Sequence, residues 1–345
     1  LLDRVKTLRA YRELVERLNQ SRFPIEIEGP EGLYIALVTT ALSRLKERAM
    51  LVVVPTEREA QDLTNDLLLI ADDAVQFPWP GTSAYARSGA SVEIVGEQNR
   101  LLSGLAHETP MVVVASLRAV LSALPPKDVL VSREMAVEVG STSDPATVGS
   151  DLSEMGYLRV PRVSVHGEYA QRGEVVDVFP VGEEYPYRIV FDFDTVTRIT
   201  RFDPITQSSR DSSDLAYLRP VTRVDWTPDR LTSLRDLMTT FRWEHSEDTI
   251  SSLERGEPIP YEHLLYPASF PEPTTLFDYI PDSGMVVLVH DEHLRSGYEA
   301  LKKEYSRLYA EARSAAAGCV PQPARIMADL DACVAVQKRL ITFPA

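Results

Sequence analysis

The sequence predicts an α/β protein, in which helices cover a parallel β-sheet and a mostly antiparallel β (α+β) domain is inserted into the chain. Two observations support this class. Segments 50–55, 110–116 and 284–290 are apolar on both faces and alternate with helical segments, the pattern of a covered parallel sheet. Residues 156–209 hold the densest run of strand-forming side chains, broken by turn residues.

Composition narrows the functional classes. The chain has 345 residues and a net charge of −15, which favours two or three domains and disfavours a clamp on the DNA backbone. No run approaches the ~20 apolar residues of a membrane span, and no signal peptide is evident, so we expect a cytoplasmic protein without a membrane partner. The two cysteines, Cys319 and Cys333, are too few for a disulfide framework or a metal site, and we expect reduced thiols.

The first third of the chain alternates between helix and strand. Thr56 followed by Glu59 is a capping-box signature that predicts a helix start. Periodicity and composition predict, in order, an amphipathic helix at 2–19, a strand at 23–29, a helix at 31–49, a strand at 50–55, a helix at 56–71, a strand at 74–78, a loop at 78–91, a helix at 92–107 and a strand at 110–116.

The pattern changes after the proline pair in 124–129. We therefore predict a first scaffold part at 1–123, an inserted β-rich domain at 124–212, and a second scaffold part at 213–345. In the last part, Thr227 caps a predicted helix at 227–244, and a long charged helix is expected at 291–317.

The inserted block predicts an antiparallel meander. Reversals are expected at His166-Gly167, between Pro180 and Pro186, and at Phe193-Asp194. Alternation in the third segment predicts one apolar face, formed by three residues: Ile189, Phe191 and Phe193. The other face is free to bind a partner. Four arginines spaced through the block make it a candidate binding surface: Arg159, Arg162, Arg172 and Arg188.

The first βα junction is where an α/β nucleotide-binding domain would place its phosphate loop. A working loop needs two glycines followed by Lys and Ser or Thr. With Gly29 as the first glycine, Tyr34 occupies the second glycine's place and would fill the space for the phosphates. Neither the cation nor the Mg²⁺ ligand is present. The sequence predicts a degenerate loop that binds no cofactor, at Gly29, Gly32, Ile35 and Ala36.

An acidic pair, Asp291-Glu292, follows the apolar strand 284–290 and resembles the Mg²⁺-side motif of an ATPase. Acidic residues at a helix start have a simpler explanation in the helix dipole. His290 and His293 flank the pair without a zinc-binding pattern. The sequence therefore predicts no catalytic residues and no metal site, which favours a binding module over an enzyme.

Several blocks, in the right order, resemble the UvrB-like N-terminal module of the bacterial transcription-repair coupling factor (Mfd) family. The central block is the most specific, and together the blocks cover most of the chain. They are GYLRVPRVSVHGEYAQRGEVVDVFP at 156–180, YRIVFDFDTVTRITRFDPITQSS at 187–209, PEPTTLFDYIPDSGMVVLVHDEH at 271–293, and PWPGTSAYARSGASVEIVGEQNRLLSGL at 78–105.

This resemblance implies a fold and a role. The fold would be a degenerate P-loop NTPase-like (RecA-like) domain with an inserted β domain, as in UvrB. The role would be non-catalytic recruitment of the nucleotide-excision-repair protein UvrA by mimicry of UvrB. In that family the parent protein is an ATP-dependent DNA translocase that displaces stalled RNA polymerase. Its motor part, which uses ATP and Mg²⁺, and its RNA-polymerase-binding part lie C-terminal to this module and would be partners within the chain.

The resemblance also implies which residues contact UvrA, because the motif positions of the family can be matched to residues of this chain one by one. The resemblance assigns Arg159 in GYLR and Arg172 in AQRG, with Phe179 in DVFP and Arg188 in YPYRI beside them. The UvrB pattern has another arginine where this chain has Ala170. From the residues alone, each strand arginine is better explained as a solvated group or a cross-strand ion-pair partner, and Phe179 could equally be a core residue.

Two other functions stay open at the sequence level. One is a UvrB-type ATP-dependent helicase domain that binds nucleotide and DNA directly. The other is direct DNA binding by the β domain, against which the net charge of −15 counts.

Overall fold

The computed structural model describes residues 9–29, 31–46, 48–70, 74–315 and 320–344. Leu2, Val5 and Leu8 of the predicted first helix, Pro30 of the degenerate loop, and Cys319 lie outside these ranges. Cys333 is a free, partly buried thiol. Within the described ranges, no helix combines the length and apolar character that crossing a bilayer requires.

The helices are named here in chain order. They are α1 (Arg9–Asn19), α2 (Leu33–Lys46), α3 (Glu57–Leu68), α4 (Val92–Ala106), α5 (Leu117–Leu121), α6 (Lys127–Val131), α7 (Pro145–Glu154), α8 (Pro228–Thr240), α9 (Ser246–Glu254), α10 (Glu262–Ala268), α11 (Leu276–Tyr279), α12 (Asp291–Ala315), α13 (Pro323–Ile326) and α14 (Leu330–Ala335).

The strands follow the same convention. They are β1 (Ile25–Glu26), β2 (Met50–Val54), β3 (Ala74–Gln76), β4 (Val112–Ser116), β5 (Met135–Glu138), β6 (Leu158–Arg159), β7 (Glu168–Arg172), β8 (Val175–Val178), β9 (Tyr187–Asp192), β10 (Thr195–Phe202), β11 (Ser209–Ser213), β12 (Leu215–Leu218), β13 (Met285–Val289) and β14 (Leu340–Phe343).

The chain divides into two compact units. The first comprises residues 1–88, 104–125 and 226–345, and the second comprises 89–103 and 126–225. The sequence places the inserted domain at 124–212, whereas the second unit continues to Asp225. It continues because β12 pairs with β5, which keeps the chain in this unit beyond residue 212. Residues 89–103, which include most of α4, also belong to it.

The first unit contains a six-stranded sheet in the order β1-β14-β13-β2-β4-β3, with every neighbouring pair parallel. All residues of β2, β4 and β13 are buried, as their apolar composition predicts. The predicted parallel sheet is therefore confirmed. The prediction missed β14, which has only four residues and is too short to show the pattern of a buried strand.

Local signals explain several helix starts in this unit. The hydroxyl of Thr56 accepts a hydrogen bond from the backbone N–H of Glu59 at 3.2 Å, and α3 begins at the next residue after the cap. Thr227 caps α8 in the same way, with Pro228 in its first turn. Both predicted starts are confirmed.

The second unit contains a six-stranded sheet in the order β11-β10-β9-β8-β7-β6. All neighbours are antiparallel except β6 and β7, which are parallel. One face packs on α7 through a core that includes Leu152, Tyr169, Val176 and Ile189. The mostly antiparallel inserted sheet is confirmed.

One turn of the meander was missed, and one residue was assigned to the wrong place. A reversal at Gly173, whose φ is +59°, separates β7 from β8 and was not anticipated. Phe193 was assigned to the apolar face with Ile189 and Phe191, which are buried. It lies instead in the β9–β10 turn with φ of +56° and is 81% exposed, because β9 ends at Asp192.

Helix α4 is anchored in the second unit up to Ser103. The side-chain amide of Asn99 donates to the carbonyl of Pro220 at 2.8 Å. The guanidinium of Arg219 donates to the hydroxyl of Ser103 at 3.0 Å. Gly96 faces Val181 closely enough that an added Cβ would lie 2.6 Å from a Val181 methyl. These contacts explain why residues 89–103 belong to this unit.

Candidate functional site

The side of the antiparallel sheet that faces away from α7 carries the candidate site, and we call it the arginine face. Side chains alternate along each strand, so residues in register across the strands share one face. The register places Arg172 opposite Val175, and Asp177 opposite Arg188. The arginine face comprises Ala170, Arg172, Val175, Asp177, Arg188, Val190, Arg198 and Thr200.

A buried carboxylate lies at the centre of this face. The Asp177 side chain is 1% exposed. Its Oδ1 accepts a hydrogen bond from Arg188 Nε at 2.7 Å, and its Oδ2 accepts from Arg188 Nη2 at 2.9 Å. Arg172 Nη2 donates to the same Oδ2 at 2.6 Å. One carboxylate therefore orients two guanidinium groups, and the three side chains together keep one positive charge.

Three neighbouring side chains hold the guanidinium group of Arg188 in place: Asp177, Phe202 and Gln207. Its guanidinium carbon lies 4.4 Å from the centre of the Phe202 ring, and its Nη2 donates to Gln207 Oε1 at 3.3 Å. Hydrogen bonding to Asp177 raises the pKa of Arg188 above its ordinary value. With 23% of its side chain exposed, Arg188 serves mainly to hold Asp177 and the loop around Gln207 in place.

Arg172 is the accessible member of the group. Its side chain is 53% exposed, and among the described residues Asp177 is its one ion-pair partner. A guanidinium carries five N–H donors, so most of those on Arg172 remain available to a ligand. Arg198 lies in the same row across the sheet, opposite Val190, and is also exposed.

Phe179 lies beneath this surface. It is buried in a small cluster with Val163, Ala170 and Phe202, and its ring centre lies 4.0 Å from that of His166. A buried ring offers little area to a partner. Its position supports the loop at 160–167 from below.

Arg159 is exposed on the edge strand β6, apart from the Asp177 group. It pairs in register with Tyr169, whose side chain belongs to the core shared with α7. By that register Arg159 belongs to the opposite face of the sheet from Arg172. The structure thus brings Arg172 and Arg188 together and leaves Arg159 at the edge.

The degenerate phosphate loop in the first unit lies beside an acidic cleft of about 470 Å³. The residues that line this cleft are Glu26, Glu28, Gly29, Glu31, His290, His293 and Pro344. Ile35 and Ala36, which stand at the Lys and hydroxyl positions of a working loop, are buried. Three carboxylates without a facing lysine repel a triphosphate, so the residues present do not fit ATP.

The sequence suggested that the Tyr34 ring fills the space for the phosphates, but the structure places Tyr34 elsewhere. It lies in the first turn of α2, is 65% exposed and is not part of the cleft lining. Neither Lys nor Arg is among the residues that line the cleft.

The acidic pair after β13 has local partners. Asp291 accepts a hydrogen bond from Arg295 Nε at 3.0 Å, one helical turn along α12. Both acids lie in the first turn of that helix, as the helix-dipole explanation requires. In the described part of the chain, no group of His, Cys, Asp and Glu side chains is arranged to hold a metal ion.

Sequence reasoning missed the residue that organises the site. Asp177 sits in the quoted block between Arg172 and Phe179, and an acidic residue inside a strand of Val residues was the available signal. Gln207, which links Arg188 to the neighbouring loop, carried no comparable signal because its contact is made across the fold.

Comparison with known proteins adds two findings. The family model of the UvrB interaction domain matches residues 135–224. The chain is also similar to several transcription-repair-coupling factors. The protein from Bacillus subtilis is 24% identical over 96% of this chain and 30% of its own length. The protein from Borreliella burgdorferi is 24% identical over 74% of this chain and 23% of its length. The protein from Mycobacterium bovis is 31% identical over 60% of this chain and 17% of its length.

The sheet that carries the arginine face thus lies within the residues that match the family model of the UvrB interaction domain. Over most of its length the chain is similar to transcription-repair-coupling factors. It spans less than a third of the length of each of the three relatives described above.

Proposed function

We propose that this chain is the UvrA-recruiting module of a transcription-repair coupling factor. The observation that carries the proposal is the pair Arg172 and Arg188, oriented by the buried Asp177 on the sheet of a UvrB interaction domain. Arginine is favoured at interface hot spots because its planar fork binds carboxylates in two places and tolerates desolvation. Among the residues assigned by resemblance, Arg172 and Arg159 are the accessible ones. Arg188 supports Arg172 through Asp177, and Phe179 is buried beneath the arginine face.

The module itself is non-catalytic in this proposal. The acidic lining of the cleft and the burial of Ile35 and Ala36 support the absence of nucleotide chemistry. A full-length parent would supply ATP hydrolysis, DNA translocation and displacement of stalled RNA polymerase through other parts of its chain. This module would contribute the step that brings the excision-repair machinery to the lesion.

Titration of the purified chain with purified UvrA tests the proposal. We expect saturable binding, and we expect Arg172→Ala to weaken it at least tenfold while the melting temperature stays within a few degrees of wild type, because Arg172 is half exposed. Arg58→Ala is the control, because Arg58 is an exposed arginine on α3, outside the inserted sheet, and this variant should bind UvrA as wild type does. Absence of UvrA binding by the wild-type chain would refute the proposal.

The same titration with Arg159→Ala tests whether the edge strand β6 contributes to UvrA binding. If UvrA wraps around the edge strand, this variant weakens binding as Arg172→Ala does. Wild-type affinity in Arg159→Ala would confine the contact to the arginine face.

A further inference from the structure

Two loops lie beside the arginine face and expose apolar side chains. The first is 160–167 and the second is 203–208. Ile205 is 83% exposed at the tip of the second loop, and Val165 is 56% exposed in the first. Single exposed apolar residues are ordinary on protein surfaces. Ile205 and Val165 differ from such residues because hydrogen bonds join their two loops to each other and to Arg188.

The loop around Ile205 is held in one shape by its own polar groups. Asp203 Oδ1 accepts hydrogen bonds from the backbone N–H groups of Ile205 and Thr206, at 2.9 and 2.8 Å. These two bonds hold the pKa of Asp203 below its ordinary value. The guanidinium of Arg162 donates to the carbonyl of Ile205. Ile205 is therefore presented outward by a fixed turn.

The first loop is fixed in a similar way. Glu168 Oε2 accepts hydrogen bonds from the backbone N–H groups of Ser164 and Val165, at 2.8 and 3.0 Å. Beneath it, Val163 is buried against Phe179 and Phe202. Val165 therefore stands on a supported loop.

Gln207 joins these loops to the arginines. Its side-chain nitrogen donates to the carbonyl of Val163 at 3.2 Å, and its side-chain oxygen accepts from Arg188. Arg172, Asp177, Arg188, Gln207 and the two loops thus form one connected surface. A partner that binds this surface would therefore meet both loops in an arrangement that hydrogen bonds already fix.

The charges indicate what kind of partner fits. Asp177 offsets one of its two arginines, so the group keeps a positive charge, and Arg198 adds another in the same face. The chain as a whole carries −15. A local positive surface on an acidic protein complements a carboxylate-bearing surface and steers it to this place.

We propose that the docking partner presents an acidic side chain to Arg172 and an apolar pocket to Ile205, with Val165 at the rim of that pocket. This inference rests on the proposed recruitment of UvrA and specifies the chemistry of the contact. The charged contact sets orientation and association rate, and the apolar contact supplies the buried area that an interface centre requires.

Binding of UvrA to three variants tests the inference, at low and at high salt. Ile205→Ser should weaken binding at least tenfold and leave the salt dependence of the affinity unchanged, because no charge is removed. Arg172→Glu should weaken binding more and flatten the salt dependence. Phe193→Ser is the matched control, since Phe193 is equally exposed in the same sheet, in the turn at the other end of β10. It should bind UvrA as wild type does.

The outcomes separate the inference from the proposed function. A wild-type chain that fails to bind UvrA overturns both. A wild-type chain that binds, with Ile205→Ser indistinguishable from Phe193→Ser, overturns the apolar contact alone. Recovery of Arg172→Glu binding by an acidic-to-lysine substitution in UvrA supports the carboxylate contact. A short DNA duplex that competes with UvrA, and whose binding is lost in Arg172→Glu, would overturn that contact in favour of phosphate.

Discussion

Asp177 binds Arg188 through both of its carboxylate oxygens, at 2.7 and 2.9 Å, on the arginine face of the sheet. Adding Arg172 to the same carboxylate makes the two arginines depend on one buried acid. The orientation of the candidate UvrA contacts is therefore built into the strands rather than left to flexible side chains.

Asp177→Asn should lower the free energy of unfolding by about 3 kcal/mol, because removing one partner of a buried ion pair leaves charge uncompensated. Urea denaturation of the chain measures this loss. Asp211→Asn is the matched control. Asp211 pairs with Arg201 at 2.9 Å where both side chains are exposed, and such pairs contribute less than about 1 kcal/mol. Equal losses in the two variants would contradict the central role of Asp177.

The chain should show no saturable binding of MgATP at millimolar concentration in a calorimetric titration. The three carboxylates of the cleft repel phosphates, and the chain lacks the lysine that would offset them. Replacing Glu26, Glu28 and Glu31 by Gln should remove the repulsion without creating affinity. A saturable heat signal from the wild-type chain would instead favour a UvrB-type ATPase.

Gly96→Ala should destabilise the second unit. The new Cβ would lie 2.6 Å from a methyl of Val181, and a β-branched side chain has little room to move aside. Overpacking of this kind costs about 1–3 kcal/mol, while the better helix propensity of Ala returns up to about 1 kcal/mol. Thermal denaturation should show a lower melting temperature.

Gly104→Ala is the comparison within the same helix. Its new Cβ would meet the terminal methyl of Met111, which is the far end of a flexible side chain. We expect a melting temperature close to or above that of wild type. A larger loss at Gly104 than at Gly96 would mean that the packing of α4 against Val181 is looser than its geometry indicates.

Glu57→Gln should become more stable relative to wild type as the pH rises. Burial raises the pKa of Glu57 above its ordinary value of 4.5, although hydrogen bonds from Ser116 and Gln76 act in the opposite direction. The folded protein therefore binds this proton more tightly than the unfolded chain does. The resulting stability is complete below 4.5 and is lost as the pH rises through the raised pKa, and Gln has no such loss.

Melting temperatures of Glu57→Gln and wild type at about pH 5 and pH 8 measure this effect. The difference between the two proteins should shift in favour of the variant at the higher pH. Asp62→Asn, at an exposed position of the same helix, serves as the control. A shift in the opposite direction would show that the hydrogen bond from Ser116 outweighs the burial of the carboxylate.

The sequence predicted those parts of the fold that depend on local pattern. Strands β2 and β13 are apolar throughout, β4 is apolar up to its last residue, Ser116, and all three were found as predicted. The caps Thr56 and Thr227 marked the starts of their helices. Strand β14 and the turn at Gly173 were missed. A strand of four residues and a glycine between two polar residues carry too little pattern to stand out against a loop.

The sequence predicted which strands carry the candidate site. It did not predict the strand register or the long-range hydrogen bonds that join its residues. Motif position pointed to Arg172 and Arg188, which do lie together. It also pointed to Arg159, which strand register places on the other face, and register is set by pairing that the sequence does not display. The role of Gln207 depends on contacts with residues 19 and 44 positions away in the chain.

The anchoring of α4 has a practical consequence for producing the second unit in isolation. A fragment cut at the boundaries of the family match, 135–224, would lack Asn99, Ser103 and the helix surface that covers Val181. Such a fragment would expose apolar surface and lose the partner of Arg219. A single-chain graft that joins residues 89–103 to 126–225 through a glycine-rich linker would retain every segment of this unit and is the better reagent for partner screening.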